Sequence, residues 1–189
     1  MRAWLAGSFL VIASLLPGGW SSVATSSDEI EAELIGFLVR LPPDGLRLPP
    51  ASVVTAVLEV PNEQGGPRVV FPVEFGARTE VTLRESHVRG GELVVLEGVL
   101  YPGRLRVLHV REVDVAEFRG RVSLPAGPLF LPPTTDQLVD VFLDGAPTLP
   151  VAFLLTPRTT SPRISLRDGQ PVSLGVVIGR RLVVDLENR

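Results

Sequence analysis

Acid–base or metal chemistry in this chain would depend on two histidines, because His87 and His109 are its only imidazoles and the 189 residues include no cysteine. A histidine–carboxylate metal site could combine them with Glu85 or Glu112. The simpler interpretation places His87 in solvent beside a glycine-rich turn and packs His109 in an alternating strand. We favour that interpretation and expect neither a metal nor another cofactor.

Other catalytic patterns have little support. No Gly-x-Ser-x-Gly nucleophile elbow occurs in the sequence. Glu112 and Asp114 share one face of a predicted strand, as a glycosidase carboxylate pair would, but such pairs are more often solvated charges. The Gly-Gly pairs that begin at Gly65 and Gly90 lack the following helix and lysine of a phosphate-binding loop. We therefore predict that the protein is not an enzyme.

The candidate binding residues lie on one predicted hairpin and are Tyr101, Arg104, Arg106 and Arg111. Guanidinium groups could form bidentate contacts with an anionic polysaccharide or a lipid head group, and a tyrosine ring could stack on a sugar. The alternative, which we favour, is a charged face that prevents strand pairing with other chains. The net charge of −3 argues against nucleic acid as a partner.

Short strands must position these residues. Eighteen prolines and eighteen glycines predict many turns and no long helix. Val53–Val60 alternates apolar and polar residues like a strand, and Leu93–Leu100 and Arg104–Val115 predict a hairpin across Tyr101-Pro102-Gly103. Many short strands separated by turns favour a β-sandwich or a small barrel.

The same pattern occurs twice. Leu41–Val60 and Leu124–Leu143 each contain Leu-Pro, then Leu-Pro-Pro, then an alternating apolar strand. Further alignment pairs Pro72–Phe75 with Pro150–Phe153, Leu105 with Leu182 and Val107 with Val184. We therefore predict an all-β fold of two tandem small β-sandwich domains of related topology, covering residues 30–115 and 116–189.

The chain begins with a predicted export signal at residues 1–24. Arg2 precedes the apolar run Leu5–Leu16, and Ser22-Val23-Ala24 provides the small residues of a cleavage site. The run is shorter than the ~20 residues of a membrane-spanning helix. Residues 25–29 read as a linker. We expect an exported protein of the periplasm or cell surface, without a spanning segment after cleavage; the alternative is an uncleaved anchor.

The phrase Leu48-Pro49-Pro50-Ala51, followed by the strand Val53–Glu59, resembles the YbaY family, whose domain is related to the YscW-type pilotin lipoproteins of type III secretion. Pro72–Phe75 and Gly103-Arg104-Leu105 match that family's Pro-x-x-Phe strand and Gly-Arg-Leu hairpin. The second copy fills the same places with Leu131-Pro132-Pro133, Pro150–Phe153 and Gly179-Arg180-Arg181-Leu182. The resemblance implies an all-β sandwich in the cell envelope and brings no catalytic residues. The cysteine that would carry a lipid is missing.

These features together predict a non-enzymatic cell-envelope protein that serves protein interaction or envelope assembly. The predicted contact surfaces are exposed sheet edges, which can accept a partner strand, or the loops Asn62–Gly66 and Gly145–Thr148. The alternative function is a carbohydrate- or glycan-binding module. The expected partner is thus an envelope protein or a glycan.

Overall fold

The computed structural model of the chain describes residues 30–188, which form fourteen strands and no helix. The all-β class predicted from the sequence is confirmed. The predicted export signal and linker lie outside the described residues. Within residues 30–188 there is accordingly no helix that could cross a membrane.

The first seven strands are β1 (Ile30–Val39), β2 (Leu46–Arg47), β3 (Val54–Val60), β4 (Val69–Thr82), β5 (His87–Val88), β6 (Leu93–Tyr101) and β7 (Arg104–Arg111). The five long strands close into a barrel in the order β1-β3-β4-β7-β6, and β2 pairs with β5. Every pair is antiparallel except β4 with β7. A sheet that closes on itself has no free lateral edge along its paired length.

The remaining strands are β8 (Val115–Ser123), β9 (Leu129–Phe130), β10 (Gln137–Leu143), β11 (Ala146–Leu155), β12 (Ser165–Leu166), β13 (Pro171–Val177) and β14 (Val183–Asn188). Their five-stranded sheet runs β11-β10-β8-β13-β14, which is the order of the corresponding strands in the first barrel. Here the sheet closes only through the parallel bridges Leu154–Leu182 and Thr160–Asp185. We call the two units the first and second barrels.

Each barrel has its own hydrophobic core. Leu58, Phe75 and Leu105 are fully buried in the first, and Leu166 and Val172 are fully buried in the second. Alternating apolar residues of the strands supply these side chains, as the period of two requires. The second barrel begins with Val115, which pairs with Val177, whereas we had assigned Val115 to the first unit.

Two glycines occupy corresponding positions in the two barrels. Gly36 lies where β1 runs beside β3, and Gly120 lies where β8 runs beside β10. A Cβ atom at Gly36 would lie 2.6 Å from the carbonyl oxygen of Glu59. A Cβ atom at Gly120 would overlap the carbonyl oxygen of Phe142 in the same way. Both barrels therefore need a residue without a side chain at this close approach of two backbones.

Two buried threonines establish which residues correspond on the closing strands. Thr79 Oγ1 donates to the carbonyl of Val107 at 3.1 Å, and Thr159 Oγ1 donates to the carbonyl of Val183 at 2.9 Å. Val107 therefore corresponds to Val183, and our alignment of Val107 with Val184 is wrong by one residue.

The pairing on β4 and β11 agrees with this correction. Glu74 pairs with Arg106 in the first barrel, and Leu154 bridges to Leu182 in the second. The counterpart of Leu105 is consequently Arg181. The predicted match of Pro72–Phe75 with Pro150–Phe153 is likewise out of register, because the extra residues of β11 loop out where its pairing with β10 shifts.

The barrels pack against each other through a small apolar cluster and an ionic network. Leu154 and Leu182 of the second barrel contact Ile35 and Leu93 of the first. Alongside them, Arg68 of the first barrel donates two hydrogen bonds to Asp136 of the second, at 2.9 and 2.6 Å, over the Phe37 ring.

Candidate functional site

The structure brings two of the four predicted binding residues into contact. Tyr101 pairs with Arg104 at the end of the β6–β7 hairpin, and the Arg104 guanidinium lies 5.9 Å from the centre of the tyrosine ring. The same guanidinium is 3.3 Å from a carboxylate oxygen of Glu74. Arg106 is exposed on the same side of β7.

Arg111 lies apart from these residues, at the opposite end of β7. Seven residues of strand separate it from Arg104, or roughly 23 Å at ~3.3 Å per residue. Its guanidinium contacts Glu97 and Glu33, each at 2.9 Å. The hydrogen bond from Arg111 lowers the pKa of the Glu97 carboxyl below its ordinary value. The four residues therefore do not form one anion site, and Arg104 and Arg111 are already paired with carboxylates.

The two histidines occupy different places. His87 is exposed on β5, and His109 on β7 lies 2.8 Å from the Thr82 hydroxyl and 3.4 Å from Glu97. Glu112 accepts a hydrogen bond from the backbone N–H of Arg84 at 2.7 Å. Across residues 30–188, the structure has no group of three side chains that could hold a metal ion.

The predicted edges and loops offer less surface than expected. The first barrel is closed, and the open edge of β11 carries Pro147 and Pro150 beside its irregular pairing. Prolines and bulges of this kind prevent a further strand from adding. The loop Asn62–Gly66 is used within the molecule, since the Glu63 carboxylate accepts a hydrogen bond from the Arg181 backbone N–H at 3.3 Å. The segment Gly145–Thr148 is exposed, but only Gly145 lies in a turn, because Ala146–Thr148 belong to β11.

An apolar groove opens into one end of the second barrel, close to that exposed segment. It has a volume of about 330 Å³. Its floor consists of inward-facing side chains from four strands: Ala116, Phe118, Leu143, Val151, Phe153 and Val176. The ring centres of Phe118 and Phe153 are 6.1 Å apart. Phe118 is still 37% exposed, although it points to the inside of the barrel, because the barrel is open here.

An exposed apolar side chain extends the groove outwards. Ile178, in the β13–β14 turn that lines the groove, is 60% exposed. A shallower concavity of about 540 Å³ continues past Phe118 and Leu143 towards Gly145. The apolar floor has no nucleophile or general base, so this surface is suited to binding an apolar group.

Sequence reasoning did not find the groove. Phe118, Val151 and Phe153 alternate like core residues, and nothing in that alternation shows that the barrel end is open. The available signal was in the hairpins, where Gly103-Arg104-Leu105 of the first copy becomes Gly179-Arg180-Arg181 in the second. An aliphatic residue that is lost from a repeated core position indicates unfilled space.

No protein-family model matches this chain, and no curated protein does so either. The resemblance to the YbaY family therefore stays a prediction, based on the Leu-Pro-Pro phrases and the strands that follow them.

Proposed function

We propose that this protein is a non-enzymatic, exported cell-envelope protein with two YbaY-like units, and that it serves protein interaction or envelope assembly through the open end of its second barrel. The observation that carries the proposal is the apolar groove, with Ile178 exposed on its lining. Exposed apolar side chains around a concave apolar surface are typical of interaction sites.

The arrangement of polar groups supports binding rather than catalysis. The groove has Arg180 and Arg181 at one side, while His87 and His109 belong to strands of the first barrel. Neither histidine belongs to a strand that contributes to the groove floor. Export rests on the predicted leader, and its positive, apolar and small-residue regions support that part of the proposal.

Site-specific photo-cross-linking in cells that produce the protein tests the proposal. A photoreactive amino acid replaces Ile178 in one variant and Phe130, which is 72% exposed on β9, in the control. We expect a discrete cross-linked protein through position 178 and none through position 130. The leader prediction is tested on the same material by the N-terminal sequence of the mature chain.

The glycan alternative is tested in parallel on an array of envelope polysaccharides. Retention that is lost with Tyr101→Ala and Arg104→Ala, together with no cross-linked protein at position 178, would overturn the proposal in favour of glycan binding. We expect no retention, because Arg104 is already paired with Glu74.

A further inference from the structure

The first barrel shows which group fills the place that is open in the second. Leu105 follows the β6–β7 turn, is fully buried and belongs to the first core. Its counterpart by strand register is Arg181, which is exposed. The second barrel therefore lacks the aliphatic side chain that completes the first one at this end.

The walls around this place are apolar in both barrels. By the register of the sheets, the counterparts of Leu34, Val60 and Val73 in the first barrel are Phe118, Leu143 and Phe153 in the second. Leu34 and Val60 pack on the first core, of which Val73 is part. In the second barrel the same wall positions line the groove. Although these wall side chains are larger than their counterparts, an apolar groove of about 330 Å³ remains at the barrel end that Leu105 helps to fill in the first barrel.

The charge at the mouth of the groove adds a second requirement. Arg180 lies 3.8 Å from Glu63, and the guanidinium of its neighbour Arg181 makes no ion pair among residues 30–188. A partner with a carboxylate beside its apolar anchor would pair with that guanidinium. Because the prolines and the irregular pairing of β11 disfavour the addition of a further strand at its edge, the partner would bind mainly through a side chain.

We propose that the groove of the second barrel binds a leucine-sized aliphatic side chain, flanked by an acidic residue, on an extended segment of a partner protein. This inference rests on the proposed function and names the chemistry of the segment that the groove would recognise. The segment takes the place that Leu105 occupies in the first barrel, and its carboxylate contacts Arg181.

Short peptides derived from residues 103–107 of this chain, Gly-Arg-Leu-Arg-Val, test the inference by NMR with the isotopically labelled full chain. The first peptide carries Arg104→Asp and Arg106→Asp. The second carries Leu105→Ser in addition, and the third keeps the arginines. We expect the first to shift the amide signals of Phe118, Phe153 and Ile178. We expect it to bind about tenfold tighter than either of the others, because only it offers both the aliphatic group and the charge.

Two variants of the protein sharpen the test. Arg181→Leu supplies an aliphatic side chain from the chain itself and removes the cation, so the first peptide should lose about tenfold in affinity. Arg121→Leu makes the same chemical change on β8, where the arginine bonds the Gly169 carbonyl outside the groove. It should bind as the unmodified chain does. Circular dichroism checks that both variants are folded.

Several results would overturn this inference. The three peptides could bind with equal affinity or not at all, or the amide signals that shift could lie away from the groove. The Arg181→Leu variant could bind the first peptide as tightly as the unmodified chain does. Dodecanoate could also saturate the groove while no peptide shifts its signals. Self-association that buries Ile178 would assign the groove to a second copy instead. If position 178 still cross-links one protein while the peptides fail, only the leucine-and-acid chemistry is refuted and the proposed function stands.

Discussion

Breaking the ion pair between Arg68 and Asp136 should destabilise the whole chain, because this pair joins the two barrels. The contact is bidentate, with Nε to Oδ2 at 2.9 Å and Nη2 to Oδ1 at 2.6 Å. Only 19% of the Arg68 side chain and 10% of the Asp136 side chain are exposed. The hydrogen bond to Asp136 raises the pKa of Arg68 above its ordinary value, so the guanidinium itself stays charged.

The size of the effect follows from this geometry. A hydrogen bond to a charged group contributes about 1.5–3 kcal/mol, and breaking a fully buried pair costs about 3–5 kcal/mol. Since this pair is mostly but not fully buried, we expect a coupling free energy of about 2 kcal/mol. In a chain of this length that corresponds to a shift of about 4–8 °C in Tm.

A double-mutant cycle with Arg68→Met and Asp136→Ala measures the coupling by urea unfolding. The control cycle uses Arg104→Met and Glu74→Ala, a single 3.3 Å contact whose arginine side chain is 58% exposed. Exposed pairs of this kind contribute about 0.2–1 kcal/mol, and about 1 M salt should screen them further. A coupling at Arg68–Asp136 no larger than in the control would refute the reasoning.

Three further substitutions test the barrels themselves. Gly36→Ala should destabilise the chain by about 1–3 kcal/mol, because the new Cβ meets the Glu59 carbonyl oxygen. The control is Gly90→Ala, whose Cβ meets nothing within 4 Å. Equal midpoints of urea unfolding for the two variants would contradict the prediction. Thr79→Val leaves the Val107 carbonyl and the Gly76 N–H without their partner. It should lower the free energy of unfolding, measured with a chemical denaturant, by about 2–4 kcal/mol. A decrease of less than about 0.5 kcal/mol would show that other groups satisfy these two backbone groups. The Arg111 hydrogen bond lowers the pKa of Glu97 in the folded chain, so that bond stabilises the chain above about pH 4.3 and is lost as the pH falls further. Glu97→Gln should therefore flatten the acid limb of the curve of unfolding free energy against pH by up to ~1 kcal/mol, since Glu97 is well exposed. An unchanged curve would contradict this prediction.

The sequence predicted where the strands lie better than it predicted which strands pair. The turn Tyr101-Pro102-Gly103 and the alternation of Val53–Val60 located β6, β7 and β3 to within a few residues, because turn chemistry and period-two patterning are local properties. In contrast, β4 runs without a break from Val69 to Thr82, across Gly76. Its pairing with β7 shifts between Phe75 and Glu80, and no local pattern fixes such an irregularity.

The candidate site was harder to predict, because it depends on what surrounds each residue. The arginines of β7 are close in sequence, which allowed both an anion-binding cluster and the charged face that we favoured. Their acidic partners, Glu74 on β4 and Glu33 on β1, come from other strands of the barrel. Conversely, Phe118 alternates like an ordinary core residue, yet it is 37% exposed and lines the groove. Both features depend on long-range contacts, which a local sequence pattern does not show.

The packing of the two barrels is directional, because each barrel uses a different face for the contact. The first barrel presents Ile35 and Phe37 at the contact; with Gly36 matched to Gly120, the same positions of the second barrel are Arg119 and Arg121. In the other direction, the second barrel presents Leu154 and Leu182.

The first barrel has Glu74 and Arg106 at the positions that correspond to Leu154 and Leu182. A head-to-tail contact that repeated would build an open filament, but here each unused face carries charge where the used face is apolar. If the units arose by duplication, as the repeated Leu-Pro-Pro phrase predicts, the copies diverged on these faces and at Leu105 and Arg181. Those changes made one face of each barrel an internal interface and left one end of the second barrel open.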